Sequence, residues 1–159
     1  MIRTVSGDIL LSKAQAVAHG VGTDDHFNHG LALALRERWP AMYKDYRHFI
    51  HQHSPKEGTL WFWGGAEGER IYNLFTQTEG HGGGHPGPAT IENVNHALRE
   101  LRKAIEKDEI KSIALPKLAT GVGKLSWEEV KPLIENHLGD LDCDVIVYEL
   151  YQAGVAGEN

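Results

Sequence analysis

Between Thr90 and Lys107, the residues Ile91, Val94, Leu98, Leu101 and Ile105 fall three or four positions apart, the repeat of a helix with one apolar face. Shortly afterwards residues 112–115 are short, apolar and stopped by Pro116, as in a strand buried on both sides. Such a pair belongs to a layered α/β structure, because helices on both sides of a sheet remove both faces of its strands from water. The rest of the chain repeats the theme. Residues 2–5 read as a strand and 14–21 as a short helical turn or strand leading into a buried strand. Residues 31–39 and 42–50 carry helical spacing, with Met42, Tyr46 and Phe49 on one stripe and Pro40 between the segments. Residues 59–63 and 70–75 flank Gly64, Gly65 and Gly68 as a hairpin. Val130, Leu133, Ile134 and Leu138 mark a last helix after the capping-box pair Ser126 and Glu129, and Pro132 predicts that its regular part starts later than that cap. Residues 143–148 close the sheet. The expected architecture is one three-layer α/β/α unit over residues 1–152 with a mixed, largely parallel sheet, followed by a flexible tail over 153–159.

Composition narrows the function classes. At 159 residues and 41% hydrophobic content, the chain is long enough to bury its own core without staples. A single cysteine, Cys143, excludes an intramolecular disulfide framework and the multi-cysteine zinc sites, and it reads as a buried structural thiol. With no signal-peptide pattern and no apolar run of membrane-spanning length, the expected compartment is a reducing cytoplasm, with no membrane partner. A net charge of -6 argues against duplex nucleic acid as a general partner. A small anionic ligand remains compatible, because a local cradle of backbone amides acts at distances where the overall charge is screened.

Three loops fall at predicted strand ends, where open α/β sheets bind ligands. The first runs from Gly20 to Gly30 into a helix start, whose unpaired N–H groups favour an anion; an ordinary mobile loop is the competing reading. The second covers Ala119, Thr120, Gly121, Val122, Gly123 and Lys124. It is not a Walker A loop, since Leu118 stands where glycine is required, and Ser126 replaces the third glycine of a dinucleotide fingerprint. A generic cradle of backbone amides is what remains, with Lys124 either adding charge or simply solvated. The third runs from Thr76 to Pro88 and is long enough for a lid or a substrate-facing segment, with a flexible surface loop as the competing reading.

Of the ten histidines, His48, His51 and His53 read as surface residues at a helix end. His81 and His85 lack the partners of a recognisable zinc motif, so no metal and no cofactor are expected. His19 lies within an apolar strand end. It is either a core histidine bonded to a backbone carbonyl or a polar group aimed between the first two loops, able to move protons or bond a phosphate near neutral pH.

Taken together, these pieces resemble the macrodomains, ADP-ribose-binding α/β/α modules, over about residues 2–148. The resemblance is carried by Gly7-Asp8-Ile9-Leu10, by Ala18-His19 followed by Asn28-His29-Gly30-Leu31-Ala32, and by the stretch from Ile113-Ala114-Leu115-Pro116 through Thr120-Gly121-Val122-Gly123 to Leu125-Ser126-Trp127. It is specific because of order and spacing rather than any one piece. Within the family the chain is most similar to the subclass holding terminal ADP-ribose protein glycohydrolase, the antitoxin macrodomains that reverse DNA ADP-ribosylation, and the yeast-type ADP-ribose 1''-phosphate phosphatase. Asn73-Leu74-Phe75-Thr76, the glycine loop with His85, Ile91-x-Asn93 and Ala97-Leu98 match the phosphatase best, as does His19 where many macrodomains have asparagine.

The resemblance implies that Asp8, with Gly7 and Ile9, holds adenine. It implies that Gly30, Leu31, Thr76 and the loop Ala119, Thr120, Gly121, Val122, Gly123 and Lys124 bind the rest of the ligand. His19, Asn28, His29 and His85 are implied near the scissile group. The chain departs from the glycohydrolases in having Gln77 and Thr78 where they use a lysine, and Gly123 where they use an aspartate. The implied activity is hydrolysis at the distal ribose of ADP-ribose derivatives, of the 1''-phosphate phosphatase type. The alternatives are a non-catalytic reader and a glycohydrolase acting on modified protein or DNA, the one setting in which nucleic acid would be a partner.

Overall fold

In a computed structural model, which describes residues 1–80 and 84–158, the chain forms six strands and four α-helices. The strands are β1 (Ile2–Gly7), β2 (Ala16–Gly22), β3 (Leu60–Gly64), β4 (Arg70–Gln77), β5 (Ser112–Pro116) and β6 (Asp144–Tyr151). The helices are α1 (Gly30–Arg38), α2 (Pro40–His53), α3 (Ile91–Asp108) and α4 (Trp127–Leu138), and a 3-10 turn spans Ile9–Leu11. One sheet in the order β1-β6-β5-β2-β4-β3 is parallel throughout except for the β3–β4 hairpin. This is the expected mixed, largely parallel sheet.

Side chains alternate across that sheet and divide the core into two layers. Ile113, Leu115, Val145, Val147, Tyr72 and Leu74 face α3 and α4, where Val94, Leu98, Leu101, Ile105, Val130, Ile134 and Leu138 complete one cluster. Val21, Ile71 and Phe75 face the other way, against Leu35, Met42 and Tyr46 of α1 and α2 and against Phe27. The β3–β4 pairing sets Trp61 opposite Asn73, and the β2–β4 pairing sets His19 opposite the same Asn73.

Several boundaries differ from the sequence reading. Of the two readings of residues 14–21 the strand holds, starting at Ala16, because its neighbours β4 and β5 supply its backbone bonds on both sides. Pro132 does not delay α4. The reciprocal Ser126–Glu129 capping box opens the helix at Trp127, and the carbonyl left without an N–H partner by Pro132 is that of Glu128, in an exposed first turn open to water. The last strand continues to Tyr151. Residues 153–158, expected to trail loosely, lie along the end of β1. The Asp8 N–H donates to the Val155 carbonyl at 2.6 Å, and the Tyr148 hydroxyl donates to the Glu158 carboxylate at 2.6 Å. A Cβ on Gly7 would sit 2.7 Å from the Val155 oxygen, which is why the residue there has none. Among the described residues no helix is long and apolar enough to cross a membrane.

Candidate functional site

Two cavities open side by side beyond the carboxyl ends of the strands and share Gly30, Leu31 and Pro116, so they form one elongated cleft. The first, about 430 Å³, is walled by Gly7, Asp8, Ile9 and Leu10, by Ala34 of α1, and by Tyr148 and Tyr151 of β6. Its surface is mostly apolar, with one carboxylate at the edge. Asp8 caps the 3-10 turn, its Oδ1 accepting the Leu10 N–H at 3.0 Å while Oδ2 accepts the Gly154 N–H at 3.3 Å.

The second cavity, about 280 Å³, lies between the first two loops and is lined by His19, Gly20, Asp25, His29, Gln77, Pro86, Lys117 and residues 119–123. The second loop turns tightly because Ala119 and Lys124 both adopt left-handed backbone, with φ of 64° and 66°. Its ends are tied by the Lys124 N–H to the Gly121 carbonyl (3.0 Å) and the Leu125 N–H to the Ala119 carbonyl (3.0 Å). Between those ties the N–H groups of Gly121, Val122 and Gly123 have no acceptor among the described residues. Successive unpaired amides of this kind form an anion-binding concavity. The opposite wall is the start of α1, whose first N–H groups are unpaired by the geometry of any helix, and its N-cap residue His29 makes no side-chain capping bond.

The first loop is anchored from below. Asp25, 5% exposed, accepts the Phe27 N–H at 2.8 Å and the Gly22 N–H at 3.1 Å, while the Tyr46 hydroxyl accepts the Asp25 N–H at 2.9 Å and donates to the Gly22 carbonyl at 3.0 Å. Burial pushes the Asp25 carboxyl above its ordinary range, and those two N–H donors with the charges of His29 and His26 oppose the shift. The third loop closes over the first. The His26 N–H donates to the Gly84 carbonyl at 3.0 Å, the His29 Nε2 and His85 Nδ1 nitrogens share a hydrogen bond at 3.1 Å, and Pro86 sits so near Gly22 that a Cβ there would be 2.8 Å from it.

His19 occupies the floor. It is 2% exposed, its Nε2 lies 2.6 Å from the Asn73 Oδ1, and burial lowers its pKa to about 4, the Asn73 contact opposing the shift. Both readings of this residue hold in part: it is a core histidine, bonded to a side chain rather than to a backbone carbonyl, and it lines the cavity.

Of the residues singled out in sequence, Gly7, Asp8, Ile9, Gly30 and Leu31 line the first cavity, and His19, His29, Gly30, Leu31 and Ala119 through Gly123 line the second. Four line neither. The Asn28 Oδ1 is buried without a partner among the described residues, His85 bonds His29, which lines the second cavity, and Lys124 is exposed. Thr76 points to the α3–α4 side, where its hydroxyl is buried beside Gly20 without a partner among the described residues. His81 lies outside the described residues, among which no three metal-ligating side chains gather. Sequence reasoning did not assign Tyr148, Tyr151, Asp25 or Pro86 to the site, and it noted Asn73 and Gln77 only in comparing the chain with the family, without a role. Only Asp25 carried a local signal, an aspartate two residues before a buried aromatic in a glycine-bounded loop.

The model of the family described as "Macro domain" matches residues 16–134. The chain is 29% identical over 153 residues to a DNA ADP-ribosyl glycohydrolase of Thermus aquaticus, covering 94% of this chain and 41% of that protein. It is 24% identical over 150 residues to human ADP-ribose glycohydrolase OARD1, covering 94% and 91% respectively. The solved macrodomain of Thermus aquaticus DarG superposes with a TM-score of 0.83 at 30% identity, over 94% of this chain and 98% of that one. The chain thus spans about two-fifths of the length of the DNA ADP-ribosyl glycohydrolases it matches.

Proposed function

The chain belongs to the Macro domain family, and from that premise we propose that it binds ADP-ribose and hydrolyses a substituent from the distal ribose of ADP-ribose derivatives. The observation that carries the proposal is the shape of the cleft. An apolar chamber with one carboxylate, Asp8, joins at Gly30 and Leu31 to a chamber walled by unpaired amides and lined also by His19 and His29. A nucleobase fits the first, with Asp8 accepting from its exocyclic amine. A diphosphate fits the junction, where each amide bonded to a charged oxygen contributes about 1.5 to 3 kcal/mol. The distal ribose then reaches the histidines. Amides already aimed at the cleft also stabilise the negative charge that builds on oxygen as water attacks.

Two leaving groups suit this site. The residue pattern around Asn73 and His85 supports phosphate on the 1'' position. The relatives named DNA ADP-ribosyl glycohydrolase and ADP-ribose glycohydrolase support a modified macromolecule instead. Gln77 on the cavity wall, where a lysine nucleophile would stand in the glycohydrolases, favours a further reading: a reader that binds without turnover. The buried lone thiol supports placing the protein in a reducing cytoplasm.

Calorimetry with ADP-ribose, followed by phosphorus NMR of ADP-ribose 1''-phosphate and of ADP-ribosylated DNA and protein incubated with the protein, tests all three. Saturable binding with bond cleavage is expected, and which substrate yields product identifies the leaving group. Binding without cleavage of any of them leaves the reader, and no binding at millimolar ADP-ribose refutes the proposal as a whole.

A further inference from the structure

His19 sits between a neighbour that constrains it and a cavity that needs a polar group, and the constraint reaches two strands away. In the parallel register His19 of β2 lies opposite Asn73 of β4, and in the antiparallel register Asn73 lies opposite Trp61 of β3. Asn73 is fully buried. Its Nδ2 donates to the Trp61 carbonyl at 3.3 Å, and its Oδ1 faces the His19 Nε2 at 2.6 Å. Turning the amide over would set Oδ1 against the Trp61 carbonyl oxygen, two acceptors with no proton between them, so the backbone of the edge strand fixes which end of Asn73 meets the ring. An oxygen that can only accept requires a proton on Nε2, and a neutral imidazole carries one proton. Nδ1 is the ring nitrogen with no partner among the described residues.

We propose that Asn73 is a positioning residue which, held by the Trp61 carbonyl, keeps the His19 proton on Nε2 and presents Nδ1 to the cavity as a hydrogen-bond acceptor. The inference rests on the ADP-ribose reading of the site. It deepens that reading by assigning what His19 can do there. Nδ1 accepts from an O–H group, either a ribose hydroxyl or a water, and has no proton to deliver to a leaving group at neutral pH. A ligand recognised by His19 must therefore bring a donor to that end of the cleft. The other titratable groups sharing this cavity are Asp25, His29 and Lys117, from the loops after β2 and β5 and the start of α1, and none of them bonds His19.

Nitrogen-15 NMR of the histidine-labelled protein reads ring protonation directly. In the unliganded wild type the His19 signals are expected to show a protonated Nε2 and a bare Nδ1 throughout pH 5 to 8, and a proton on Nδ1 overturns the inference. In Asn73→Asp the carboxylate accepts from the same nitrogen but stabilises imidazolium, so the His19 titration is expected to move up by about one to three pH units. An unmoved titration also overturns it. If that variant does not fold, the wild-type spectrum decides alone. Saturating ADP-ribose is expected to shift the Nδ1 resonance. Calorimetric binding without that shift overturns the acceptor role while the proposed function stands. Absence of binding refutes the proposed function, and the role of Asn73 is then judged on the unliganded spectra.

Discussion

Acidification from pH 7 to pH 5 should destabilise the wild-type protein through His19 by an amount that can be isolated. In the unfolded chain an imidazole titrates near its reference value of 6.5, whereas burial holds the folded His19 at about 4. Between those values the unfolded state binds the proton and the folded state does not. Stability from His19 is therefore complete above the unfolded value and is lost as pH falls through the window. At pH 5 the unfolded group is about 1.5 pH units below its midpoint while the folded one remains mostly neutral, and at about 1.4 kcal/mol per unit the loss is about 2 kcal/mol. Asp25 acts with the opposite sign, because its carboxyl is raised by burial and its contribution is lost as pH rises. The difference between wild type and His19→Gln removes Asp25 and every other shared group. Glutamine still offers an N–H toward Asn73 but does not titrate. Urea unfolding of both proteins at pH 7 and pH 5 should show the wild type losing about 2 kcal/mol more than the variant. Equal losses would mean that the ring is hydrated or already charged in the folded state, and the account of the cavity floor would fail with it.

The two glycines of the second loop should respond oppositely to the same change. A Cβ on Gly121 meets nothing within 4 Å, so Gly121→Ala should unfold within about 0.5 kcal/mol of wild type. A Cβ on Gly123 would lie 2.5 Å from the Ala119 carbonyl oxygen, so Gly123→Ala should cost about 1 to 3 kcal/mol and weaken ADP-ribose in calorimetry. Thr76→Val, which replaces a buried, unpartnered hydroxyl with a methyl of the same shape, should raise the urea midpoint by about 1 kcal/mol in stability; a lower midpoint would show that the hydroxyl does have a partner.

How much of this was legible in the sequence depends on whether a feature is local or arises from pairing. The α3 stripe and the apolar run of β5 announce themselves by period, since the helix buries Val94, Leu98, Leu101 and Ile105 on one side only and the strand is covered on both. The three loops at strand ends likewise follow from the sequence pattern, and residues of each wall the second cavity. Nothing local shows that β6 outruns Tyr148 to reach Tyr151; it is β1, extending to Gly7 beside it, that keeps the strand going. Residues 153–158 are mostly small and read as tail because their partners Asp8 and Lys13 lie near the other end of the chain.

Asn73 is the sharpest case. In sequence it is one polar residue in an apolar run, and only the combined register of three strands places it between His19 and Trp61. A one-residue slip of the β2–β4 pairing would turn Asn73 away from the ring and leave His19 without its acceptor, and a slip of the β3–β4 pairing would take the Trp61 carbonyl from the Asn73 amide. The protonation state of the cavity floor is thus set by sheet register, a property of the fold that no local pattern encodes, and the same register that buries Ile71 and Phe75 against α1 and α2 also decides which nitrogen of His19 a ligand meets.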